Sequence, residues 1–205
     1  MFLSDLVPEV TLQIPGCTDD VAMVALVDGA RRFYRESTLW RDAKSYSLPA
    51  NADVLRLRAP EDTDIAAVRY VTFEGRELEA KQYVELTALN SEPSYAPMYY
   101  SAQLRGAVVR VSPPAFSDQN NAYNVECVLV PTRDADELVV DTFAAEFEAV
   151  YVYGALAKLF AMPLFLNLQL AAYNEALFSD LVQRAMNKAQ GLLNGGVLST
   201  TYGGL

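Results

Sequence analysis

Apolar positions recur with two different periods along this chain, and the change of period divides it. From Ala22 the apolar or small residues are Ala22, Ala25, Leu26, Gly29, Ala30 and Phe33, a three-and-four spacing that keeps one helical face. Thr18 precedes this run as a candidate N-cap, and Asp19 and Asp20 suit the positive end of a helix dipole. Arg31, Arg32 and Arg35 come late, and the helix is predicted to end near Ser37. Before it, Pro8, Pro15 and Gly16 predict an extended segment from Met1 to Cys17.

After Asp42 the period falls to two. Ser45–Leu48, Val54–Arg58, Ala67–Phe73, Tyr99–Leu104, Ala107–Val111 and Ala122–Val130 read as short strands. Glu74-Gly75-Arg76 and Arg105-Gly106 are hairpin tips. Gln82–Leu86 fits a strand or a helical turn, and Pro93–Met98 a loop.

The helical period then returns. Phe143, Phe147, Val150, Gly154, Ala157 and Ala161 share a face, with Asp141 as candidate N-cap and Pro163 as the stop. Asn167 can cap a second helix whose stripe is Leu170, Tyr173, Leu177, Leu181 and Ala185. A short link makes the two an antiparallel hairpin, and its apolar surface calls for the first helix as third partner. Gly154, with Ala157 below it, is assigned to close helix packing, because a mid-helix glycine costs about 1 kcal/mol. From Gly191 to Leu205, Gly195, Gly196, Gly203 and Gly204 with no charged side chain predict a flexible arm.

The predicted class is α+β: a helical bundle carrying an inserted antiparallel β domain. The divisions are residues 1–42 (N-terminal segment and first helix), 43–133 (β domain), 134–190 (helical hairpin) and 191–205 (arm). From Ala149 to Asn174 the sole charge is Lys158, which imitates a membrane span. Pro163, Asn167 and Gln169 interrupt it, so two buried helices are expected, with no membrane partner. The first ten residues lack the basic start and apolar run of a signal peptide.

Of 205 residues, 52% are apolar, and the net charge is −10 with a pI near 4.5. That balance opposes a protein that grips nucleic acid, since phosphate binding needs clustered cations. No histidine occurs, which excludes imidazole triads and histidine metal sites. Cys17 and Cys127 are far apart in sequence and read as buried thiols in a reducing compartment. No phosphate-binding, dinucleotide or zinc-protease motif is present. Asp62-Thr63-Asp64 and Asp134-Ala135-Asp136 imitate the start of a calcium loop but lack its glycine. Glu146 and Glu148 imitate a glycosidase pair, yet two residues apart on a helix they face different ways. Tyr95, Tyr99, Tyr100 and Tyr123 suit sheet packing or an interface better than sugar stacking. No cofactor and no metal are expected.

Several segments together resemble one family. Pro15-Gly16-Cys17 leads into a helix ending ARRFYRESTLWRD, with Thr38 two residues before Trp40. VTFEGREL, VECVLVPTRDADEL and YGALAKLFAMP follow in order. The ordered set resembles the head-to-tail adaptors (connectors) of short-tailed phages, also called tail tubular protein A. The resemblance implies a structural virion protein without catalysis, assembled in the host cytoplasm. It implies a homo-oligomeric ring of about twelve copies, seated between portal and tail nozzle, with double-stranded DNA passing through.

Two expectations extend that resemblance. Asp134, Asp136, Glu137, Asp141, Glu146 and Glu148 are expected to make the ring lumen acidic, so that DNA slides without gaining counterions. The arm, through Val197, Leu198, Tyr202 and Leu205, is expected to order against the portal. The opposing readings are a carboxylate-based cell-wall hydrolase of the tail and an α+β binding protein that forms no ring.

Overall fold

A computed structural model describes residues 1–88, 97–104, 107–114, 121–136, 138 and 145–195. The chain is α+β and divides into two compact units. One comprises residues 1–40, 62–64 and 130–205 and is helical; the other comprises 41–61 and 65–129 and is built on β-sheets.

The helical unit begins with a 3-10 turn, Leu3–Leu6, and helix α1, Val7–Gln13. The extended start expected from the prolines is therefore wrong. Pro8 lies in the first turn of α1, where its missing N–H would have no intrahelical partner anyway. Leu3, Leu6, Val7 and Val10 are buried, so packing rewards the helix. Leu3 N donates to Asp136 O at 2.8 Å and Leu138 N to Met1 O at 2.8 Å, tying the N-terminus to a segment far along the chain.

Helix α2, Asp19–Ser37, follows the expected limits and buries the whole stripe from Ala22 to Phe33. Thr18 is the N-cap residue by backbone, without a side-chain capping bond. Thr38 closes α2 in the left-handed region at φ 51°. Arg31 fixes both outlying pieces of this unit to α2: its guanidinium donates to Asp64 Oδ2 at 2.7 Å and also to the Pro131 carbonyl.

Among the described residues the β unit contains two four-stranded sheets. With β1 Arg41–Leu48, β2 Val54–Arg56, β3 Thr63–Phe73, β4 Arg76–Glu77, β5 Glu79–Ala80, β6 Tyr99–Gln103, β7 Val108–Ser112 and β8 Asn121–Pro131, the orders are β1-β8-β3-β4 and β2-β7-β6-β5. Glu74 and Gly75 turn β3 into β4, both with positive φ, where glycine carries no Cβ penalty. β6 and β7 pair antiparallel, as the sequence pattern predicts, whereas β5 joins β6 in parallel. Gln82–Leu86 resolves as helical: α3 is Tyr83–Ala88. Tyr123, Val125, Cys127 and Leu129 of β8 are buried, and so are Glu126, Val128 and Val130 between them. Both faces of this strand are thus covered. Arg69 reaches Glu126 at 2.7 Å and neutralises the enclosed carboxylate.

Helices α4, Glu148–Ala161, and α5, Leu168–Gly195, form the hairpin. A 3-10 turn at Pro163–Phe165 separates them, and Asn167 Oδ1 accepts the Leu170 N–H at 3.1 Å. Asp141 and Phe143 lie outside the described residues. Phe147, Val150, Gly154 and Ala157 are buried, while Ala161 is exposed. The α5 stripe needs a larger correction. Leu170 and Tyr173 are exposed, and the buried line is Asn174, Phe178, Val182, Ala185 and Ala189. Helix α5 also runs to Gly195, five residues past the expected start of the arm. Among the described residues no helix is long and apolar enough to cross a membrane.

Candidate functional site

The densest arrangement of the helical unit is the crossing of α2, α4 and α5. Gly29 and Gly154 meet there. A Cβ on Gly154 would lie 3.0 Å from two ring carbons of Phe178 and 3.1 Å from Gly29 Cα. A Cβ on Gly29 would lie 2.9 Å from the Tyr151 carbonyl oxygen. The two glycines let backbone approach backbone, and Phe178 of α5 fills the remaining space.

Ion pairs flank this contact. Arg32 grips Glu175 with two bonds of 2.7 and 2.5 Å, and its guanidinium sits 4.4 Å from the Phe178 ring centroid. Hydrogen bonding to Arg32 holds Glu175 below the ordinary carboxylate range and in turn pushes Arg32 up. Lys158 pairs with Asp28. Asp28, Arg32, Lys158 and Glu175 line a groove of about 310 Å³ together with Gly29, Gly154, Ala157 and Ala161. Deeper in, the Tyr34 and Tyr151 hydroxyls share a hydrogen bond of 2.8 Å, with Trp40 packed 5.2 Å from the Tyr34 ring. Burial pushes Tyr34 up to about 12 and raises Tyr151 as well.

These groups are arranged for packing. Burial raises both thiols, Cys127 to about 11, and so disfavours the nucleophilic thiolate. Both cysteines are free, Cys127 buried and Cys17 half-buried. Among the described residues no three carboxylate or thiol groups cluster as metal ligands do.

The acidic residues singled out in sequence take separate roles. Asp136 accepts from Ser4 N at 2.9 Å and Ser4 Oγ at 3.1 Å, closing the first 3-10 turn. Asp134 is exposed. Glu146 pairs with Lys188 of α5. With Glu9, Glu146 and Glu148 edge an open depression of about 400 Å³. Glu137 and Asp141 lie outside the described residues, as do Val197, Leu198, Tyr202 and Leu205 of the arm. Of the tyrosines, Tyr123 and Tyr100 are buried, Tyr99 is half-buried, and Tyr95 lies outside the described residues.

A surface feature was not foreseen. The turn between α4 and α5 exposes Leu164 (83%), Leu166 (58%), Leu168 (69%), Leu170 (40%) and Tyr173 (62%). Helix α2 runs antiparallel to α4, as Asp28–Lys158 and Phe33–Phe147 contacts require. Its exposed Val21 and Val24 therefore lie at the same end of the bundle. The hint in the sequence was the alternation of leucine from Leu164 to Leu170, a period that no helix stripe uses. Compared with models of known families and with curated proteins, the chain matches none.

Proposed function

We propose that this chain is a structural, ring-forming adaptor of a phage virion, joining the portal to the tail nozzle and lining the DNA exit channel. The observation that carries the reading is the set of exposed apolar side chains at the α4–α5 turn, Leu164, Leu166, Leu168, Leu170 and Tyr173. Five large apolar side chains exposed within ten residues suit a surface used in assembly. The helical unit, built from both ends of the chain around a β unit, is the architecture that the family resemblance implies. The rigid crossing beneath the tip, closed by glycines and ion pairs, gives such a contact a firm base. A net charge of −10 suits a channel through which DNA slides without being held.

Mass photometry of the purified protein, alone and with portal protein, tests the reading. Rings, or ring-sized complexes with portal, are the expected result. A protein that stays monomeric at tens of micromolar, as an order of magnitude, and ignores the portal would reject it. Tight, salt-sensitive binding of duplex DNA would reject the acidic-lumen part alone.

A further inference from the structure

We infer that copies of this chain join sheet edge to sheet edge, with strand β1 of one lying antiparallel on strand β4 of the next. The first sheet runs β1-β8-β3-β4, so among the described residues each of its outer strands has a neighbour on one side only. β1 is long for an outer strand, eight residues from Arg41 to Leu48. Half of the backbone groups of such a strand point away from its own sheet. Among the described residues, Asp42–Ser47 bond through their backbone only within the sheet. Ala43, Ser45 and Ser47 of β1 are exposed, and so are Arg76 and Glu77 of β4.

Direction and charge name a second copy as the occupant. β1 runs antiparallel to β8, and β3 to β4. The bonds from Glu74 N to Ala122 O and from Thr132 N to Asp62 O make β8 antiparallel to β3. β1 and β4 therefore point in opposite directions, and a neighbour's β1 placed on β4 continues the alternation. In one register Arg41 of the neighbour falls opposite Glu77, and Asp42 opposite Arg76. Past those pairs Ala43 comes to Gly75, and Lys44 to the exposed Glu74. A slip of one residue either way opposes Asp42 to Glu77 or Arg41 to Arg76. Opposite charges across a strand pair stabilise it and like charges destabilise it, so the charges select that one register. Asp42 and Lys44 already meet at 3.1 Å within β1. A carboxylate accepts several bonds and an ammonium donates several, so neither group is used up. The two edges differ, so the contact repeats into a ring or a filament instead of ending at a symmetric pair. The inference rests on the ring reading only in that copies associate, and it needs no portal.

The test uses the full chain, the single variants Asp42→Arg and Arg76→Glu, and the double variant carrying both. Sedimentation reads association, hydrogen exchange reads the amides of Asp42–Ser47, and circular dichroism checks the fold. Each single variant is expected to weaken self-association at least about tenfold. The double variant exchanges the charges across the contact and is expected to recover it. The Asp42–Ser47 amides are expected to exchange more slowly in the associated wild type than in Arg76→Glu. Single variants that associate like wild type, a double variant no better than the singles, or equal exchange would each overturn the inference. So would a loss confined to Asp42→Arg, because β1 would then pair with something other than β4. A wild type that stays monomeric, alone and with portal, overturns this inference and the ring reading together. A ring indifferent to these charges overturns this inference alone, and charge-dependent association that ignores the portal overturns the adaptor reading alone. Should Arg76→Glu misfold, Glu77→Lys, opposite Arg41, gives the same comparison.

Discussion

The helical unit has two contrasting regions: a helix crossing built on two glycines with ion pairs beside it, and a turn where leucines stay exposed. At the α2–α4–α5 crossing, Gly29 and Gly154 touch and Arg32–Glu175 and Asp28–Lys158 stand beside them. Ten residues from Phe178 along α5, about 15 Å at 1.5 Å per residue, leucines at the α4–α5 turn are exposed. Leucine is buried elsewhere in this unit, at Leu26, Leu156 and Leu159, so hydrophobicity alone does not explain the contrast. Position does: at the crossing the α2 and α4 backbones converge on Gly29 and Gly154 with the Phe178 ring against them, whereas at the tip these leucines stay exposed. The crossing is thus committed to folding, and the tip is left for something else.

Substitutions should separate the two regions by the size of their effects. Phe178→Ala empties the space that both glycines border and is expected to cost about 3–5 kcal/mol, read by denaturant unfolding through the single Trp40. A cost below about 1 kcal/mol would mean that the crossing is loosely packed. Gly154→Leu overfills the same space, and Gly29→Ala drives a Cβ against the Tyr151 carbonyl; each is expected to cost about 1–3 kcal/mol. A neutral melting temperature for both would break the assignment.

Acid should act on the crossing more gently. Glu175 has a folded pKa depressed below its ordinary 4.5 by Arg32, so its contribution is present above 4.5 and is lost as pH falls through the lower folded value. Both partners are about 40% exposed, so solvent screening keeps the effect under about 1 kcal/mol. Glu175→Gln is expected to be less stable than wild type at pH 6, with the gap closing below pH 4.5 as wild type loses its own ion pair; a gap that widens on acidification would contradict the sign. At the tip, Leu168→Ser should change monomer stability by no more than about 0.5 kcal/mol while weakening self-association. A large stability loss there would show that Leu168 belongs to the core after all.

The sequence made α2 legible almost to the residue, since Thr18, the Ala22–Phe33 stripe and Ser37 all agree on one helix. The strands were legible from their period and glycine turns. Gly154 was legible because a small residue in a bulky stripe needs a reason. Helix α5 was misread, and the physical cause is specific. Leucine and tyrosine at Leu170 and Tyr173 mimic a core stripe, but the true contact line passes through Asn174, whose amide is buried while Nδ2 donates to the Leu170 carbonyl at 2.9 Å. A polar residue with a local backbone partner can occupy a core position that a pattern of apolar letters assigns elsewhere. The Tyr34–Tyr151 bond and the ion pairs were invisible because they join residues separated by more than a hundred positions.

That separation governs when the helical unit can exist. Tyr34 and Tyr151 stand 117 residues apart, and synthesis of the intervening chain takes roughly 6–25 s at ribosomal speed. For that interval α2 has been made but has no α4 to cover Ala22, Leu26 or Phe33. The intervening strands can pair meanwhile, so the β unit is expected to form before the helical unit is complete. Nascent chains stalled before Glu148 should leave α2 open to protease, and chains released after Gly195 should protect it. Until α4 emerges, the newborn chain therefore depends on the ribosome surface or a holding chaperone to shelter its first helix.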